Sequence, residues 1–139
     1  MNYLLDTCVI SEFIAHPPNP GVADWVVHSI ETALFLSVVT IGEIKRGADR
    51  LPPSRRKNEL DAWLYEDLLV RFRGRLLVLD LDVILTWGTL VARLELAGRK
   101  MPTLDALIAA TALRNNLSLV TRNFSDFAQS GVTIVNPWN

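Results

Sequence analysis

The feature that most constrains this chain is a repeat of one pattern. A short apolar run stops abruptly at a polar residue, and a stretch with helical spacing follows. Tyr3-Leu4-Leu5 stops at Asp6-Thr7, and Leu34-Phe35-Leu36 stops at Ser37. Leu76-Leu77-Val78-Leu79 stops at Asp80, Leu117-Ser118-Leu119-Val120 at Thr121, and Val132-Thr133-Ile134-Val135 at Asn136. Runs this short and this apolar read as strands buried on both faces. Strands alternating with helices form a parallel sheet covered on both sides, with right-handed crossovers. The expected fold class is therefore α/β, a three-layer α/β/α sandwich around a five-stranded parallel sheet. With 139 residues, half of them hydrophobic, the chain fits one domain over 1–139.

The helices follow from spacing and breakers. A short helix is expected over Cys8–Ala15, ended by the turn at 16–21. A second carries Val22, Trp25, Val26 and Ile30. Thr40-Ile41-Gly42-Glu43 has the form of a capping box, Thr at the N-cap and Glu three residues on, which opens a helix to about Arg50. Pro52-Pro53 breaks it, and Ser54 caps a long helix from Arg55 to about Phe72, with Leu60, Trp63, Leu64, Asp67 and Leu68 along one side. Ile84, Trp87, Val91, Leu94 and Ala97 space as the buried stripe of a helix over 83–97, stopped by Gly98. Pro102-Thr103 opens the next helix, which ends near Asn115-Asn116, and 123–129 forms one or two helical turns.

On this frame the acids fall into equivalent places. Asp6 ends the first strand. Glu43 lies in the first turn of the helix after the second, and Asp105 in the first turn of the helix opened by Thr103. Asn123 and Asp126 follow the fourth strand. All lie at strand carboxyl ends or helix N-termini, which in a parallel sheet share one edge, the edge where ligands bind. Each acid alone also reads as a local cap or dipole partner. Together they repel: two like charges about 4 Å apart cost about 4 kcal/mol at an effective dielectric of 20. Either they take up protons or a cation sits among them. An oxygen-only donor set suits Mg²⁺ or Mn²⁺, ions whose chemistry supports phosphodiester hydrolysis.

The net charge of −1 decides nothing, but its distribution does. No Lys or Arg precedes Lys45, whereas Asp6, Glu12, Asp24, Glu31 and Glu43 do; between Lys45 and Arg75 basic residues outnumber acidic ones. Lys45, Arg46 and Arg122 are thus candidates to hold phosphates beside an acidic centre. Thr7, Thr40 and Thr121 are candidate hydroxyl contacts to substrate, and singly also read as strand-end hydroxyls bonded to backbone. Cys8 alone excludes an intrachain disulfide and a Cys-based zinc site. It reads as a small buried hydrophobe. With no signal-peptide pattern and no run near the roughly 18 apolar residues of a span, a cytoplasmic protein is expected.

The motifs resemble a family. Leu4-Leu5-Asp6-Thr7-Cys8-Val9-Ile10-Ser11-Glu12 looks like the opening of PIN-domain ribonucleases, in particular VapC-type toxins of bacterial and archaeal toxin–antitoxin pairs. The stretches 36–44, 103–112 and 119–127 are similar to that family's second, third and fourth motifs, and Asn136-Pro137-Trp138 to the tail of one branch. The resemblance implies a PIN-like fold, Mg²⁺- or Mn²⁺-dependent cleavage of RNA, a cognate antitoxin protein that masks the site, and a homodimer. It makes Asp6, Glu43 and Asp105 the core acids and metal ligands. Many relatives have an acid where this chain has Asn123; Asp126 is the candidate to supply that charge.

Two other classes compete. A phosphoacceptor signalling domain also places acids around Mg²⁺, but would need a lysine ending the last strand, where Val135-Asn136-Pro137 stands. A catalytically weakened PIN-fold RNA- or partner-binding protein is the second alternative, with Asn123 as the lost charge. A metal-free ribonuclease would need paired histidines, and His16 and His28 lie away from the acidic edge.

Overall fold

Five short strands build the sheet in the computed structural model, which describes residues 1–138; the closing Asn139 lies outside the described residues. They are β1 (Tyr3–Leu5), β2 (Leu34–Ser37), β3 (Leu76–Leu77), β4 (Ser118–Val120) and β5 (Ile134–Val135). All pair in parallel, in the order β3-β2-β1-β4-β5. β1 is the central strand. The chain steps outward one way through β2 and β3 and the other way through β4 and β5. The topology therefore switches direction between β1 and β4, and a crevice opens there outside the strand ends.

Successive residues of a strand point to opposite faces, so an apolar run needs cover on both. Leu4 joins one cluster with Leu90, Leu94, Ile108 and Ala112, and Leu5 joins another with Val9, Ile10, Leu64, Leu68 and Phe72. Leu119 and Val120 divide between the same two clusters. The three-layer α/β/α sandwich is therefore present. β3 and β5 are shorter than their apolar runs because each is an edge strand with one neighbour; Val78, just past β3, is exposed.

The helices are α1 (Thr7–Phe13), α2 (Pro20–His28), α3 (Val38–Asp49), α4 (Arg55–Ala62), α5 (Leu69–Arg71), α6 (Leu81–Leu96), α7 (Thr103–Arg114) and α8 (Phe124–Phe127). Caps set their starts. The Asn19 side chain accepts from the Gly21 and Val22 amides ahead of Pro20, the Ser54 hydroxyl accepts from the Lys57 amide, and the Asp80 carboxylate accepts from the Val83 amide. Gly98 ends α6 as expected: at φ 72° it lets the Arg99 amide reach back to the Leu94 carbonyl.

Three expectations are corrected. The helix expected to open at Thr40 begins at Val38, because Ser37 at the end of β2 caps it, its hydroxyl accepting from the Val39 amide at 3.0 Å. Thr40 and Glu43 therefore form no capping box, and Glu43 lies in the second turn. The long helix after Ser54 is not regular: α4 passes through a wide π-helical turn over Trp63–Leu68 before α5 ends at Arg71. That turn re-aims the side chains, so Leu64 and Leu68 are buried while Asp67 is exposed. On α6 the buried residues are Val83, Leu90 and Leu94, with Ile84 and Ala97 exposed. The reason is that α6 packs against α7 as an antiparallel pair; Arg114 at the end of α7 bonds Asp82 at the start of α6 at 3.0 Å.

Among the described residues no helix is long and apolar enough to cross a membrane. Phe72 is fully buried under the π-helical turn's side of the sheet cluster. Phe72→Ala is expected to cost about 3–5 kcal/mol of stability, measured by urea denaturation.

Candidate active site

Asp6 leaves β1 at the switch point, and its amide still donates to the Val120 carbonyl of β4 at 3.0 Å. Its carboxylate is buried, 5 % exposed, and both oxygens are engaged. Oδ1 accepts from the Thr7 amide at 2.8 Å, which makes Asp6 the N-cap of α1. Oδ2 accepts from the Thr121 hydroxyl at 2.8 Å and more weakly from the Cys8 thiol at 3.7 Å. Burial pushes the Asp6 pKa up; the Thr121, Thr7 and Cys8 bonds oppose that, and the charge of Asp126 adds to it. The capping and site readings of Asp6 describe one geometry, since the bond that starts α1 also aims the carboxylate.

Glu43 reaches the same edge from α3. Its Oε1 accepts from the Thr7 hydroxyl at 2.7 Å, and the Thr40 hydroxyl lies 3.1 Å from that of Thr7. Asp105 comes from the first turn of α7, as expected, at a helix start with no side-chain cap. Its pKa is raised to about 6, first by burial and then by the charges of Asp6, Asp126 and Glu43. Four carboxylates from four chain segments thus act on one another at the crevice. Among the described residues no three His, Cys, Asp or Glu converge tightly enough to enclose an ion by themselves.

Asn123 and Asp126 divide. Asn123 precedes α8 with its side chain making no capping bond, while its amide donates to the Thr121 hydroxyl at 3.1 Å. Asp126, in the first turn of α8, is exposed yet acts on both Asp6 and Asp105. The negative charge at this side of the crevice comes from Asp126.

The expected substrate contacts are redistributed. Thr40 and Thr121 are fully buried, so neither presents its hydroxyl to a substrate; Thr121 holds Asp6 and the following loop instead. Thr7 is half-buried and bonded to two acids. Lys45 is tied to Asp49 at 3.1 Å and Asp61 at 3.3 Å, in a ring completed by Lys57, which staples α3 to α4. Arg46 is exposed beside it. Arg122 is exposed with its guanidinium 5.6 Å from the Trp138 ring. The Arg122–Trp138 contact and the Cys8–Asp6 contact were not anticipated. Of the two, only Cys8 has a local signal, two residues from Asp6; Trp138 is brought in by β5 lying beside β4.

A family model described as PIN domain matches residues 3–130. The chain is 36 % identical over 135 residues to the plasmid stability protein StbB of Pseudomonas syringae pv. tomato, covering 97 % of each. It is 33 % identical over 135 residues to VapC ribonuclease Y4jK of Sinorhizobium fredii, covering 97 % of this chain and 96 % of that one. The crystal structure of FitAcB from Neisseria gonorrhoeae superposes with a TM-score of 0.92 at 33 % identity, covering 99 % of each chain. An α/β/α sandwich with acids at its switch point defines the class, and the chain belongs to the PIN-domain family.

The raised Asp105 pKa fixes the sign of a pH effect. The folded chain holds that proton more tightly than the unfolded one, whose ordinary value is 3.8. The stabilising contribution is therefore full below that value and is lost as pH rises through about 6. In EDTA, Asp105→Asn is expected to gain stability relative to wild type between about pH 4 and about pH 7. Urea denaturation at both pH values checks this; an equal difference at both would place Asp105 away from the other acids.

Proposed function

We propose that this protein is a metal-dependent endoribonuclease, the toxin of a toxin–antitoxin pair, acting in the cytoplasm as one domain over 1–139. The observation that carries the reading is that the charges of Asp6, Glu43 and Asp126 all act on Asp105 at the switch-point crevice. Asp6, Asp105 and Glu43 would hold Mg²⁺ or Mn²⁺, with Asp126 adding charge where Asn123 cannot. The bound ion would lower the pKa of a water and neutralise charge developing on the scissile phosphate. The protein's own part is placement. Thr7 and Thr121 lock the Asp6 carboxylate, and exposed Arg46 and Arg122 are left to hold flanking phosphates.

The relatives support the partner and substrate: one is named a VapC ribonuclease, another Toxin FitB, at 33 % identity each. A cleft of about 560 Å³ between α1 and α4, lined by Phe13, Ile14, Leu60 and Trp63 together with His16, Arg56 and Glu59, offers a face part apolar and part charged for a helix of the antitoxin. A homodimer is part of the same reading. The second reading is a PIN-fold protein that binds RNA or a partner with weakened catalysis, and the neutral Asn123 is what favours it.

Purified protein is expected to cleave tRNA, rRNA or mRNA with Mg²⁺ or Mn²⁺, and EDTA or Asp105→Asn to lower the rate by about 100-fold or more. Cleavage that survives Asp105→Asn, with contamination excluded, would sink the site; binding without cleavage in wild type selects the second reading. Arg46→Ala is expected to weaken RNA binding and to flatten its dependence on salt. Lys45→Ala, whose charge is already paired, should lower melting temperature with little change in that slope; filter binding across a salt series separates the two.

A further inference from the structure

We infer that Thr40, Thr7 and Glu43 form a directional chain of hydrogen bonds that holds Glu43 in place, and that Thr7 is a positioning residue rather than a substrate contact. The inference rests on the metal-site reading above and extends it to side chains that touch neither ion nor RNA.

A carboxylate only accepts, so at 2.7 Å the Thr7 hydroxyl donates to Glu43 Oε1. A hydroxyl has one proton, and this bond uses it. The proton between Thr7 and Thr40, whose oxygens lie 3.1 Å apart, must then come from Thr40. Thr40 is fully buried, so water does not compete for that proton. The order is fixed: Thr40 donates to Thr7, and Thr7 donates to Glu43. With its proton given to one neighbour and its oxygen taken by another, the Thr7 hydroxyl has no donor left for a phosphate.

The same residue also holds a second acid, through its amide on Asp6 Oδ1 at 2.8 Å. Thr7 is therefore the one residue that ties the carboxylate ending β1 to the carboxylate on α3. Glu43 has three rotatable side-chain bonds and sits one turn inside its helix, so it needs such a tie more than Asp6 does. A hydrogen bond to an ionised group is among the stronger kinds. It occupies Oε1 and leaves Oε2 for the crevice.

The test is Mn²⁺ titration by calorimetry on the full chain, with melting temperature and RNA-cleavage kinetics on the same variants. Thr7→Val is expected to weaken Mn²⁺ binding about 10- to 100-fold and to lower kcat with little change in KM. Thr7→Ala carries the same expectation without the branched side chain, and Thr7→Ser restores both quantities. Thr40→Val weakens binding alone but adds nothing in the Thr7→Val background, because it acts only through Thr7. Unchanged Mn²⁺ affinity in Thr7→Val and Thr7→Ala overturns the inference, as does a KM effect alone or a full additive loss in the double variant. Asp105→Asn is the parallel control. If it binds Mn²⁺ normally, the site reading falls and this inference with it. If it loses Mn²⁺ while Thr7→Val does not, the hydroxyl chain alone is wrong.

Discussion

A carboxylate buried at the end of the central strand is the constraint on which the site depends. Asp6 sits where β1 runs out between β2 and β4, and removing its charge from water is costly. The fold offsets that cost with a backbone amide, a buried hydroxyl and a thiol placed on its two oxygens. Each of those donors does a second job. The Thr7 amide opens α1, Thr121 also receives the Asn123 amide and so shapes the loop before α8, and Cys8 packs between them. Satisfying Asp6 and building the active-site edge are therefore the same set of bonds.

The sheet explains why other acids arrive at this point. In a parallel sheet every crossover returns the chain to the same end, so residues just past the strands gather along one rim. The direction switch between β1 and β4 opens that rim into a crevice. Asp6 and Asp126 follow the two strands that flank the switch, and α3 and α7 deliver Glu43 and Asp105 from either side. Burial first, and then the charges of Asp6, Asp126 and Glu43, raise the Asp105 pKa.

Much of this was legible from local sequence, and the failures have local reasons too. Apolar runs marked all five strands because burial on both faces favours apolar residues, with Ser37 and Ser118 the small polar exceptions. The edge strands came out short because the outer residues of a run have nothing to pair with. Thr40 and Glu43 carry the right spacing for a capping box, but Ser37 offers the same chemistry three residues earlier, where the strand ends, and it prevails. On α6 the periodicity was real but the stripe was placed about one residue off: Val83, Leu90 and Leu94 are buried and Ile84 and Ala97 are not, because α7 is what the helix packs against. Lys45 read as a free cation although Asp49, four residues on in the same helix, is a local partner; only its second partner, Asp61, needed the packing of α4 on α3.

By itself the sequence determined the fold class and the rim on which Asp6, Asp105 and Asp126 lie. Those depend on short-range properties: hydrophobic period, breakers and residue chemistry. Only the tertiary structure decided what each hydroxyl and cation does. Thr7, Thr40 and Thr121 turned from candidate substrate contacts into supports for the acids, and Asp126, exposed in the first turn of α8, puts its charge on Asp6 and Asp105. The physical reason is distance in the chain. The side-chain partners that tie these hydroxyls to other segments lie 33 to 115 residues away, so those bonds exist only once the strands have paired.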